Sequence, residues 1–95
     1  MSEANLLELM VMFRPEIVKF AACCEEKLRE NDYKNHWSGE TLEYLHRRLY
    51  DEFGELKRAM KANKSKADIM RECADISNFA MMIADNYDPE DEGET

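Results

Sequence analysis

Four carboxylates stand in two pairs, Glu52 with Glu55 and Glu72 with Asp75, and the members of each pair are three residues apart. On a helix that spacing is just under one turn, so each pair would project from one side of its helix. Like charges repel, so the grouping is either a solvated surface or a seat for something positive. Arg47, Arg48, Lys57, Arg58 and Arg71 lie nearby in sequence and could supply the positive charge as ordinary ion pairs. A bound cation could supply it instead. Oxygen-only donors suit a hard divalent ion, Mg2+ or Mn2+. Zinc prefers His or Cys, and neither falls at this spacing.

Something must bring the two pairs together, and the register of the chain allows it. The midpoint of positions 55 and 72 is 63.5, and so is the midpoint of 52 and 75. A turn in the polar stretch Ala62-Asn63-Lys64-Ser65-Lys66 would set Glu55 opposite Glu72 and Glu52 opposite Asp75. The apolar pattern supports a helix on each side of that turn. Leu42, Leu45, Leu49, Phe53, Leu56 and Met60 form a stripe over about 40–62, and Ile69, Cys73, Ile76, Phe79, Ala80 and Ile83 form another over about 66–87. Glu52 falls in line with Leu45, Leu49 and Leu56 at the edge of its stripe, and Glu72 lies among Ile69, Ile76 and Phe79. An unpaired carboxylate in such a place costs several kcal/mol or is forced to protonate.

The first third of the chain carries two more helices. A short one spans about 3–13, and a longer one runs from Pro15, a residue suited to a first turn, to about Asn31. Its expected buried face is Ile17, Phe20, Ala21, Cys24 and Leu28. The segment 31–40, NDYKNHWSGE, reads as a loop. No alternating strand pattern, repeat or glycine-rich phosphate loop appears. The sequence therefore reads as all-α, a helical bundle in which an antiparallel helix hairpin carries the carboxylates. A single domain covers 1–87, followed by an acidic, disordered tail at 88–95.

The chain has 95 residues, 44% of them hydrophobic and 36% charged, with a net charge of −8. A core of that size is near the lower limit for stability, so completion by oligomerisation, as a dimer or tetramer, is expected. The negative charge argues against nucleic acid or an anionic membrane as partner. A nucleotide is not excluded, because a bound cation reverses the local field. Cys23, Cys24 and Cys73 are odd in number and lack metal-binding spacing, which reads as free thiols in a cytoplasmic protein. No stretch approaches the roughly eighteen apolar residues of a membrane span, and the acidic N-terminus is unlike a signal peptide. Glu43 and His46 form a single Glu-x-x-His, whereas a di-iron bundle needs two.

The sequence Asp51-Glu52-Phe53-Gly54-Glu55, followed after sixteen residues by Glu72-Cys73-Ala74-Asp75, resembles the EExxE…ExxD signature of the all-α NTP pyrophosphatases, the MazG-like superfamily. Asp51 stands at the first position in place of Glu. Upstream, residues 27–37, KLRENDYKNHW, are similar to a KLxxNxxK..GW segment of phage and bacterial members described as dATP/dGTP pyrophosphohydrolase-like. Asn35 and His36 stand where such relatives often carry glycines. Downstream, residues 74–86 are similar to the end of that domain, and the resemblance covers about 17–87.

The resemblance implies Mg2+-dependent cleavage of a nucleoside triphosphate, in particular a deoxynucleotide, between the α- and β-phosphates, giving the monophosphate and pyrophosphate. It makes Glu52, Glu55, Glu72 and Asp75 the metal ligands, with Mn2+ a possible substitute. Glu52 or Glu55 would take the proton of the attacking water. Asn78, one turn beyond Asp75, becomes a candidate contact to sugar or phosphate, or else a plain helix-surface residue. Lys34 could meet a phosphate or simply be solvated, and Trp37 could stack on a base or pack over a helix end. Lys27 and Asn31 complete the candidate nucleotide contacts. The competing expectation is a non-catalytic helical module that binds a nucleotide or a protein on the same scaffold.

Overall fold

The computed structural model describes residues 3–32 and 34–90. Those residues contain four α-helices and one short 3-10 turn, and no strand. The helices are α1 (Glu3–Met12), α2 (Pro15–Arg29), α3 (Leu42–Lys61) and α4 (Lys66–Asn86), with the 3-10 turn at Trp37–Gly39 between α2 and α3. None is long and apolar enough to cross a membrane. The all-α reading holds. Of the tail expected at 88–95, residues 91–95 lie outside the described residues, as does Tyr33 of the loop.

Local chemistry sets the element boundaries. Pro15 opens α2 behind an extended Arg14. At the other end the backbone tightens into i→i+3 bonds, Asn31 N–H to Leu28 O and Asp32 N–H to Arg29 O, so α2 stops two residues short of Asn31. Thr41 caps α3 by accepting from Tyr44 N–H at 3.1 Å, and Ser65 caps α4 by accepting from Asp68 N–H at 3.1 Å. Between them Asn63 takes a left-handed φ of 54°. Lys64 N–H bonds Ala59 O and Asn63 N–H bonds Met60 O, the paired bonds of a Schellman C-cap. A capped stop at Ala62 and a capped start at Ser65 make residues 62–65 a turn between α3 and α4, in the polar stretch where the carboxylate register puts one.

Helix α4 is the centre of the fold and packs against both α3 and α2. It therefore needs two buried faces where its sequence shows one clear stripe. Ala74, fully buried, and Asn78, 6% exposed, provide the second. Asn78 sits on the α2 side and donates its amide to Cys24 O at 3.0 Å. On α3 the buried line is Leu45 and Glu52, with Leu49 and Leu56 half-buried, whereas Phe53 and Met60 stay 53% and 60% exposed. The steps of four, three and four between positions 45, 49, 52 and 56 keep them on one line, and Phe53 falls to its side. Glu52 thus lies within the buried face, deeper than the edge position read from the sequence. On α2, Phe20, Cys24 and Leu28 are half-buried as expected, while Ile17 and Ala21 are exposed.

Candidate functional site

The α3–α4 contact brings Glu52, Glu55 and Glu72 together, with one carboxylate oxygen from each lying within 4.8 Å of the others. Glu52 is 4% exposed, Glu72 half-buried and Glu55 exposed, so the cluster runs from the interior to the surface. Arg48 Nη2 donates to Glu52 Oε1 at 3.2 Å, but Glu52 Oε2 is buried without a partner. Glu72 Oε2 is likewise buried and unpartnered. Neither Glu55 nor Glu72 has a salt bridge among the described residues. Buried oxygens without partners are uncommon in folded proteins, and among three converging carboxylates such an oxygen can be met by a proton, a cation or an ordered water.

The electrostatics express the same frustration. Burial first, and then the charge and proximity of Glu55, push Glu52 up to about 7, with Asp75 adding to the rise and Arg48 opposing it. Glu72 is raised by burial and then by Glu55 and Asp75, with Lys27 pulling the other way. Asp75 is raised by burial against the lowering effect of Lys27. A divalent ion would relieve all three, and the donor set of carboxylate oxygens fits Mg2+ or Mn2+.

Asp75 stands apart from that cluster. Its Oδ2 lies 3.5 Å from Lys27 Nζ, with both side chains mostly shielded from solvent. The register placed it opposite Glu52, and its charge does reach Glu52, but α2 supplies a lysine that claims it. Arg71, one of the cations that might have paired with the site, instead gives its Nη2 to both oxygens of Glu30 at 2.8 and 2.9 Å. The exposed Glu43 and His46 belong to no such cluster.

A cavity of about 560 Å3 opens beside the carboxylates, between α2, α3, α4 and the loop after α2. Glu52 and Asp75 form part of its wall. Lys27, Asn31, Lys34, Trp37 and Asn78 all line it as well. Their side chains have other tasks too. Asn31 Nδ2 donates to Lys27 O at 3.1 Å, finishing α2, and Asn78 is committed to Cys24 O. Trp37 Nε1 donates to Asp85 Oδ2 at 2.9 Å, and its ring stacks on His36 at 3.9 Å. Asn86 Nδ2 donates to Trp37 O at 2.8 Å and Glu40 O at 3.2 Å, so the end of α4 fastens the loop.

Sequence reasoning overlooked three residues here. Arg48 was read only as a possible ion-pair partner for the carboxylates, although it also lines the cavity and lies 5.2 Å from the centre of the Phe79 ring. Its place four residues before Glu52 is the signal that could have marked it. Asp85 and Asn86 carry no local signal, because their partners are 48 and 49 or 46 positions away in the chain. The three cysteines are free, and burial pushes the Cys24 thiol up, so it is not primed as a nucleophile. Comparison of the chain with protein-family models, curated proteins and solved structures finds no match.

Proposed function

We propose that this chain is a metal-dependent nucleotide pyrophosphohydrolase, cleaving a nucleoside triphosphate, in particular a deoxynucleotide, into the monophosphate and pyrophosphate. One observation carries the reading. The five side chains singled out for nucleotide contact, which are scattered from position 27 to position 78, line a single cavity whose wall includes Glu52 and Asp75. The site sits on a helix hairpin formed by α3 and α4. Glu52, Glu55 and Glu72 would hold Mg2+, or Mn2+ in its place, and Asp75 would join them on release from Lys27. When bound, the ion would supply charge neutralisation at the phosphates and a more acidic water.

The chain's own residues do the rest. Glu52 and Glu55 lie where one carboxylate can accept a proton from a water while the other holds position. Lys27 and Lys34 bring positive charge to the cavity, and Trp37, held at its ring nitrogen by Asp85, offers a fixed aromatic surface to a base. Hydrophobic side chains left open, among them Val11 at 86% and Tyr50 at 75% exposed, favour a homodimer or homotetramer.

The test is incubation with Mg2+ and each common NTP and dNTP, reading monophosphate and pyrophosphate, with Glu55→Gln alongside. Release that disappears in the variant supports the hydrolase. No release with any nucleotide in Mg2+ or Mn2+ moves the assignment to a non-catalytic binding module. The hold of Lys27 on Asp75 favours that second reading, since it leaves three carboxylates rather than four in the cluster.

A further inference from the structure

Arg48 stands where the carboxylate cluster meets the cavity. It is half-buried on α3, with Nη2 donating to Glu52 Oε1 at 3.2 Å and Nη1 donating to Asp51 Oδ2 at 3.3 Å. Its guanidinium carbon lies 5.2 Å from the centre of the Phe79 ring on α4, within the range of a cation–π contact. Two carboxylates and an aromatic ring therefore fix the position of the group. A guanidinium has five N–H donors, and these two bonds use two of them. Arg48 also lines the 560 Å3 cavity, as does Lys27. A cation needed only to offset Glu52 would require no frontage on a cavity. A fixed guanidinium with donors to spare suits phosphate oxygens, which it can meet through more than one N–H at once.

We propose that Arg48 is a substrate-contacting residue, receiving the phosphate chain of a polyphosphate ligand in the cavity through the N–H groups that Asp51 and Glu52 leave free. The contact joins the ligand to the carboxylate cluster, since the same guanidinium holds Glu52. This inference deepens the hydrolase reading and rests on it for the class of ligand, but the contact itself is tested without turnover.

The probe is inorganic tripolyphosphate, titrated without metal by calorimetry and by the fluorescence of Trp37, the single tryptophan, which lines the same cavity. Wild type is compared with Arg48→Met, Arg48→Lys and Glu52→Gln, with thermal melts to confirm folding. Arg48→Met is expected to bind at least tenfold more weakly, and Arg48→Lys at least threefold more weakly, because one ammonium cannot serve Glu52 and the ligand with the same geometry. The double variant Arg48→Met with Glu52→Gln is expected to bind at least tenfold more weakly than Glu52→Gln alone, whereas a cation that only offset Glu52 would leave the two alike. If Arg48→Met fails to fold, the Arg48→Lys comparison decides alone. Wild type that does not bind tripolyphosphate, or arginine variants within twofold of wild type, would overturn the proposal. Wild type that binds tripolyphosphate through Arg48 but hydrolyses no nucleotide would support it and overturn only the hydrolase reading.

Discussion

Lys27 Nζ on α2 lies 3.5 Å from Asp75 Oδ2 on α4, and this pair separates Asp75 from the three glutamates that gather beside it. Lys27 and Asp75 both border the cavity, so the pair stands between the carboxylate cluster and the cavity. A phosphate arriving there would compete for Lys27 and free Asp75.

Lys27→Met follows directly from that arrangement. Removing the lysine releases Asp75 while taking a positive charge from the cavity. We expect Mn2+ binding at least as tight as wild type and a KM for nucleotide raised severalfold. Calorimetry and steady-state kinetics measure the two effects separately.

The buried carboxylates set the pH dependence of stability. Glu52 is raised from the ordinary glutamate range to about 7, and Glu72 and Asp75 are raised as well. The native state therefore holds protons that the unfolded chain has already lost. Metal-free stability is fully present below the ordinary carboxylate range, falls as pH rises through about 7 and levels off above it. Melting temperatures of the metal-free protein should be lower at pH 8 than at pH 5. Mn2+ should restore more stability at pH 8, because protons compete for the same oxygens at pH 5.

Asn78 has a structural duty whatever it does for a ligand. Its amide donates a hydrogen bond from α4 to Cys24 O on α2, and the residue is 6% exposed. Asn78→Ala removes that interhelical bond and leaves a small void, costing about 1–3 kcal/mol. Denaturant unfolding of the metal-free variant measures it, and unchanged stability would contradict this role.

The proposed self-association would use the uncovered apolar surface. Tyr50, Phe53 and Met60 lie close to one line of α3 and are 75%, 53% and 60% exposed. Phe53→Asp with Met60→Asp should shift the chain toward monomer in sedimentation velocity while leaving helical content intact. An unshifted oligomer would mean that another face makes the contact.

The elements of this fold were legible because their signals are local. Pro15, Ser65 and the left-handed Asn63 mark ends by their own chemistry, and the turn between α3 and α4 falls where the shared midpoint of the carboxylate pairs put it. The meeting of Glu55 with Glu72 follows from that turn. The diversion of Asp75 does not, because it depends on how α2 packs against α4, and no spacing in the sequence encodes that angle. The same holds for the second buried face of α4. Ala74 and Asn78 look unremarkable in a pattern read for one stripe, and only the presence of helices on both sides buries them.

If Glu52, Glu55 and Glu72 form the proposed cation site, Mn2+ titration followed by electron paramagnetic resonance will detect it. Wild type at pH 8 without nucleotide should show saturable binding, lost or weakened at least tenfold in each of Glu52→Gln, Glu55→Gln and Glu72→Gln. Binding that is absent from wild type, or unchanged in all three variants, would contradict the account and leave the cluster a strained acidic surface.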